Sequence, residues 1–312
     1  MTDPSTTSAK HPGLGAGRRL RIGIDAHVVG RRQTGNERVL VNLIPALQRV
    51  TDHDIVAYFT LPEAAEAWRR KRLPRVEVRM LRPTFPPLRI LLSLPILAVR
   101  DRLDVLLSHS NSPPLAPCPV VTLIHDVAFA RHPEHFSAYR RSYMNLTMPA
   151  SMRWSDGLVV VSRFTRDEVV DLYRIPPERI TIALNGVDAT LVHPSAPPLV
   201  EPPYFLAAGV PTLVADIPVM REVVGDAAVR IAATDVEAWS RALERIVDDT
   251  DHRRALIEAG GRRSSTFTWD AQARTIAEAL ERAVARGRRR PGWGRSGGIS
   301  TRRGGTAGAG SS

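Results

Sequence analysis

Seven short runs of β-branched and other apolar residues, spread through the first 190 positions, constrain this chain more than any other feature. They are Leu20–Asp25, Asp54–Phe59, Val76–Leu81, Val105–Leu107, Val120–Ile124, Leu158–Val161 and Arg179–Ala183. Several are apolar at nearly every position rather than at alternate ones, the pattern of strands buried on both faces. Helix-like stretches separate them, among them Glu37–Val50, where Val39, Leu40, Leu43, Ile44 and Leu47 recur at helical spacing. Strand and helix in alternation require right-handed crossovers, which lay helices on both faces of a parallel sheet. Residues 20–192 therefore predict one doubly wound α/β domain.

A proline-rich segment, residues 193–203 (HPSAPPLVEPP), interrupts this pattern and reads as a linker, because proline fixes its own φ and disfavours helix in the residue before it. Beyond it, strands are expected at Tyr204–Ala207, Thr212–Ala215 and Val229–Ile231. Helices are expected at Val236–Val247, His252–Gly260 and Trp269–Ala285. Residues 204–286 thus form a second unit with too few strands for a full doubly wound half. The flanks, residues 1–19 and 287–312, are polar or glycine-rich and read as disordered, since neither can bury enough apolar surface to offset chain entropy.

The net charge of +11 suggests nucleic acid until it is located. Arg286, Arg288, Arg289, Arg290, Arg295, Arg302 and Arg303 concentrate it at the carboxyl end, where Trp293 is the only aromatic. No nucleic-acid-binding domain is recognisable, and specific nucleic-acid binding is not expected. The single cysteine, Cys118, excludes an internal disulfide and favours a reducing compartment. Met1–Gly17 lacks the apolar core of a secretory signal, and Leu88–Val99 is too short to span a bilayer. The expected location is cytoplasmic, with peripheral association at the inner membrane face left open.

Three groups of residues could carry chemistry. The first is the loop Gly30–Arg38, which leads into a helix: free amides and guanidinium groups there can hold a phosphate or a sugar hydroxyl, or the segment is simply a capped turn. The second is His125–Asp126, directly after a buried run and so at the carboxyl edge of a parallel strand, where ligands gather. This histidine can bond a sugar hydroxyl or move a proton; equally, the pair can only tie down its loop. The third comprises Ser162–Arg163 and Asn185–Asp188, which also follow strands. Thr165 and Glu168 have capping-box spacing, and Asn185–Gly186 is a turn dipeptide. His132 and His135 stand in an H-x-x-H without a further strong ligand signal, so no metal is expected.

In order and spacing, several segments resemble glycosyltransferase family 4 of the GT-B fold, in particular bacterial mannosyl- and rhamnosyltransferase-like members. They are Arg21–Leu43, Asp104–Glu134, Ser155–Asp188, Leu206–Ile231 and Ser265–Leu280. The resemblance implies two Rossmann-like domains facing a cleft, the first for the acceptor and the second for a nucleotide-sugar. It implies transfer with retention, no cofactor beyond the nucleotide-sugar co-substrate, no metal, and a glycan or lipid-linked acceptor. By matching position, His125 and Asp126 become the catalytic candidates; Gly35, Asn36 and Arg38 the acceptor-side residues; Gly209 and Glu222 the donor-side residues.

The chain departs from the family pattern in its second half. Members carry a basic pair that holds the donor diphosphate and a Glu-x7-Glu segment before the Ala-x-Gly-x-Pro stretch. Here the two glutamate positions fall on Ala196 and Tyr204, and no Lys or Arg occurs between Leu191 and Met220. Negative charge grows on the leaving diphosphate as the glycosidic bond breaks and needs fixed positive groups. An internal deletion in an abbreviated donor domain accounts for both losses. The expectation is a family-4-like glycosyltransferase with impaired donor binding; the alternative is a catalytically inactive remnant or sugar-binding module.

Overall fold

The computed structural model describes residues 18–31, 34–187 and 202–287. The expectations for residues 1–17, Asp188, the linker up to residue 201 and the tail from 288 fall outside them, whereas Arg18 and Arg19, placed by sequence in the disordered flank, pair with Asp104 and Asp54 and lead directly into the first strand.

The first unit begins with β1 (Arg21–Asp25), α1 (Thr34–Val50), β2 (Asp54–Phe59), α2 (Pro62–Arg70) and β3 (Val76–Met80). A helical stretch follows, made of α3 (Pro86–Leu88), one π turn (Arg89–Ser93) and α4 (Leu94–Arg100). Then come β4 (Val105–His109), β5 (Val120–Ile124), α5 (Ala128–Arg131), α6 (Ala138–Trp154), β6 (Gly157–Val160), α7 (Arg163–Tyr173) and β7 (Ile180–Ile182). All seven strands run parallel in the order β3-β2-β1-β4-β5-β6-β7. Every residue of β4 and β5 is buried, as the mainly apolar sequences VLLSH and VVTLI suit strands covered on both faces. The apolar stripe of α1, Val39, Leu40, Leu43, Ile44 and Leu47, lies in the main core against β1 and β2.

The second unit holds α8 (Pro202–Ala207), β8 (Leu213–Ala215), α9 (Pro218–Val224), β9 (Val229–Ile231), α10 (Val236–Asp248) and α11 (Thr250–Ser264). Its sheet has two parallel strands, β8 and β9. The strand expected at Tyr204–Ala207 is instead the helix α8, which begins at Pro202, a residue assigned by sequence to the linker. The reason is local. The amide of Val210 bonds the carbonyl of Phe205, that of Gly209 bonds Leu206, and Gly209 takes φ +69°, a glycine-terminated helix end. Leu206 packs against Gly260 of α11, so the apolar run covers a helix rather than extending a sheet.

The last helix, α12 (Trp269–Gly287), also departs from expectation. Grouped by sequence with the second unit, it packs on the first: Trp269, Ala273, Ile276, Ala277, Leu280, Ala283 and Val284 share the core of β1 and α1. Gly186 explains the crossing point. A Cβ there would lie 2.3 Å from the backbone nitrogen of Trp269, so the Asn185–Gly186 pair serves a close approach to α12. Asn185 accepts a hydrogen bond from Gln272 of the same helix at 2.9 Å. Gly287, read by sequence as the start of the tail, is the buried end of α12.

Candidate functional site

In a sheet of this order the winding direction reverses between β1 and β4, and ligands bind in the crevice at the carboxyl ends of those strands. Polar residues stand there. Asp25 ends β1, His109 ends β4 and His125 follows β5. Asp25 is fully buried; its Oδ1 accepts from the His27 amide at 3.2 Å and lies 3.1 Å from His27 Nδ1. The guanidinium of Arg89, itself buried on the π turn, stands 3.9 Å away. Burial opposes the charge of Asp25, but His27 and Arg89 outweigh it and hold the carboxyl well below the usual carboxylate range.

The ring of His109 lies 5.5 Å from that of His27 and 4.9 Å from that of His125. Burial, reinforced by these two imidazoles, holds His109 well below its ordinary value. Burial also pulls His125 down to about 4, against the opposing charge of Asp126. Both are therefore neutral imidazoles at pH 7, each able to accept or donate a hydrogen bond without carrying charge. Nε2 of each is buried without a hydrogen-bond partner. Such a group costs about 1–3 kcal/mol, and native proteins keep few of them outside functional sites.

His125 is shared by two cavities. One, of about 400 Å³, lies between the units: Val161, Ser162, Phe164, Thr165 and Glu168 line it from the first, Met220, Glu222 and Val223 from the second. The other, of about 370 Å³, lies within the first unit and is lined by His27, Asn36, His109, Phe136, Arg140 and Met144, with His125 and Asp126. The residues expected at the site divide accordingly. His125 and Asp126 border both cavities, although the Asp126 carboxylate also accepts the Ala128 amide at 3.0 Å and so holds the turn into α5. Asn36 lines the inner cavity. Gly35 and Arg38 line neither: the helix begins at Thr34, earlier than expected, and draws them into its first turns. Glu37 there accepts the amide of Gly30 at 2.7 Å.

On the donor side, Glu222 lines the cavity between the units, whereas Gly209 does not, because it closes α8. Both Glu222 carboxylate oxygens are engaged: they accept the amides of Arg163 at 2.7 Å and Phe164 at 3.1 Å, in the first turn of α7. A carboxylate at a helix amino end is stabilised by the free amides and by the helix dipole. The capping of α7 is otherwise Ser162 accepting from Thr165, and Glu168 turns to Arg131 at 2.6 Å instead of completing a box. Arg221 pairs with Asp216, and Arg263 donates to the carbonyls of Val223 and Glu222. His132, Glu134 and His135 bring their ligating atoms within 4.8 Å of one another on an exposed turn, outside the group of buried histidines.

Sequence reasoning missed Asp25, His27, Arg89, His109 and Arg140. The signal available was a polar residue ending an otherwise apolar strand, twice over, in RIGID and VLLSH.

Comparison with known proteins agrees with this architecture. The chain shares its fold with a glycosyltransferase of Rickettsia africae, at 11% identity over 86% of this chain and 99% of that one, with a TM-score of 0.61. It shares it with sucrose-phosphate synthase of Thermosynechococcus elongatus, at 11% identity over 86% and 100%, TM-score 0.63. Anabaena HepE in complex with UDP-glucose matches at 12% identity over 85% and 100%, TM-score 0.60. Among curated proteins none matches by sequence. The profile of Glycosyltransferase Family 4 matches residues 34–191, half of the chain, which takes in His109, His125 and the helices around them. With the doubly wound sheet, the crevice at its switch point and that match together, the chain belongs to glycosyltransferase family 4, with the GT-B architecture.

Proposed function

We propose that this protein transfers a sugar from a nucleotide-sugar to a glycan or lipid-linked acceptor, with retention of configuration and without a metal, in the cytoplasm at the inner membrane face. The observation that carries this reading is His125, a neutral imidazole standing between the two cavities. The cavity between the units takes the donor, and the inner cavity with Asn36 and His109 takes the acceptor. His125 then hydrogen-bonds the transferred sugar at the boundary, while Asp126 orients the loop that carries it. A uridine diphosphate sugar is the first donor to test, since HepE is seen with UDP-glucose.

Transfer is slow in this reading. The basic pair and the Glu-x7-Glu carboxylates are missing from the sequence, and a charge-assisted hydrogen bond from any one of them would be worth about 1.5–3 kcal/mol. A second reading, a sugar-binding remnant without catalysis, is favoured by the engagement of Glu222 with α7, where each carboxylate oxygen already accepts an amide and holds the units together. A panel of nucleotide-sugars, followed by calorimetry and by mass spectrometry of products with wild type and His125→Ala, separates the two. Product that disappears in His125→Ala supports transfer; binding without product supports the remnant. Turnover at an ordinary rate of about 1–10 per second would show that other residues have rebuilt the donor clamp.

A further inference from the structure

The helical stretch from Pro86 to Arg100 buries one side, including Arg89, Ile90, Ser93, Leu94 and Ala98, yet its outer side is apolar too. Phe85, Leu88, Leu91, Leu92, Ile96 and Val99 are all exposed, Ile96 and Val99 by more than 60%. These positions recur at helical spacing, so they form one stripe rather than scattered surface residues. The stripe continues across a groove of about 240 Å³, where Ile90 and Leu91 face Tyr143, Leu146, Ala150 and Trp154 of α6. Leu146 is 75% and Trp154 54% exposed. Contiguous apolar surface of this kind marks an interaction site.

Charge identifies the occupant. From Arg82 to Arg100 and from Ser137 to Ser155 the sequence holds no carboxylate, while Arg82, Arg100, Arg141 and Arg153 are exposed. An apolar strip bordered by arginines, with a tryptophan and tyrosines beside it, matches a leaflet of anionic lipid: the strip enters the acyl boundary and the guanidinium groups meet the headgroups. No helix of the described residues is long and apolar enough to cross a membrane, so the contact lies in the plane of the interface. We infer that the Phe85–Val99 stripe together with the outer face of α6 is a docking surface for an anionic lipid membrane. The neighbouring face of α6, through Arg140, Met144 and Met148, lines the inner cavity beside His109 and His125. A membrane on one face of α6 would thus present a lipid-linked acceptor to the cavity beside the next. That consequence rests on the acceptor reading above, whereas lipid binding itself does not.

The test is co-sedimentation of the full chain with vesicles of phosphatidylcholine alone or mixed with phosphatidylglycerol, at low and at high salt, without any donor or acceptor. Binding is expected to the mixed vesicles only. It should fall at least tenfold in Leu92→Glu/Ile96→Glu and severalfold in Arg100→Glu/Arg153→Glu, both of which alter exposed positions. Leu243→Glu, on the exposed side of α10, should bind as wild type. An unchanged bound fraction in Leu92→Glu/Ile96→Glu, as attachment through the arginines beyond residue 287 alone would give, overturns the inference. So does a dimer in solution that the same variant splits while vesicle binding is absent.

Discussion

The two sheets among the described residues differ in what holds them. In the first unit, seven strands are covered by α1 and α12 on one face and by the stretch around Leu94 and Ala98 on the other, with a further cluster around Met148, Met152 and Phe129. In the second, two three-residue strands rest on a small cluster of Leu206, Val214, Val224, Ala227 and Ala228. No residue of α10 is buried; its Val236, Leu243 and Val247 face solvent. Stability scales with the apolar surface removed from water, so the same backbone logic gives a robust sheet in one place and a marginal one in the other. The lesson is that family membership resides in the first unit, and whatever the second contributes depends on being propped against it through Glu222 and α7.

That contrast can be broken most sharply at Leu280 and Leu206, two almost fully buried leucines. Leu280→Ala should remove about 2–5 kcal/mol from the main denaturant transition, although the residue lies near the carboxyl end. Leu206→Ala should leave that transition in place and reduce only amide protection in β8 and β9. Equal loss from the main transition in both variants would mean that the molecule is one cooperative unit.

Acid provides the next largest effect. His125 has a folded value of about 4 against an ordinary value of 6.5, so the unfolded chain takes up a proton that the folded one refuses. Its stabilisation is complete above pH 6.5 and is lost as pH falls to 4, by roughly 3 kcal/mol. His109 acts in the same direction, and Asp25 adds its own loss only below its ordinary value of 3.8. Unfolding free energies measured between pH 7 and 4 should show this slope, and His125→Gln should flatten it.

Smaller still is the prop between the units. Glu222→Gln removes the charged acceptor from two amides and should cost about 1 kcal/mol. Exchange of the Arg163 and Phe164 amides would quicken about fivefold; unchanged exchange would show that the units dock by other means. Last, Leu243→Ser should shift stability by less than about 0.5 kcal/mol, because nothing covers that face of α10. A loss above 1 kcal/mol in a melting experiment would reveal a cover.

Much of the first sheet was legible because buried parallel strands announce themselves without tertiary information. β2 and β5 match their predicted bounds, and the others differ by at most two residues at either end. The second unit was less so. LAAG is apolar enough for a strand, and only the left-handed glycine closing it, together with the packing of Leu206 on α11, decides for a helix. His125 was legible from its place after a strand. His109 and Asp25 were not singled out, because a histidine or aspartate at the end of an apolar run looks like a boundary until the fold shows three strand ends converging. Arg89 was hidden more deeply: inside an apolar run it reads as an interruption, and its pairing with Asp25 depends on residues 64 positions apart.

The return of α12 to the first sheet has a bearing on how the protein is made. The strands that fix its architecture are complete by Ile182, yet Ile22, Leu43 and Leu123 share their core with Ile276 and Leu280, almost a hundred residues later. On a ribosome that synthesises about 5–20 residues per second, the nascent sheet waits several seconds or longer with that face uncovered. Synthesis that stops between Ile182 and Trp269 therefore leaves every strand of the first sheet present and one of its faces without its final helix, a species for chaperones to hold rather than a shorter working protein.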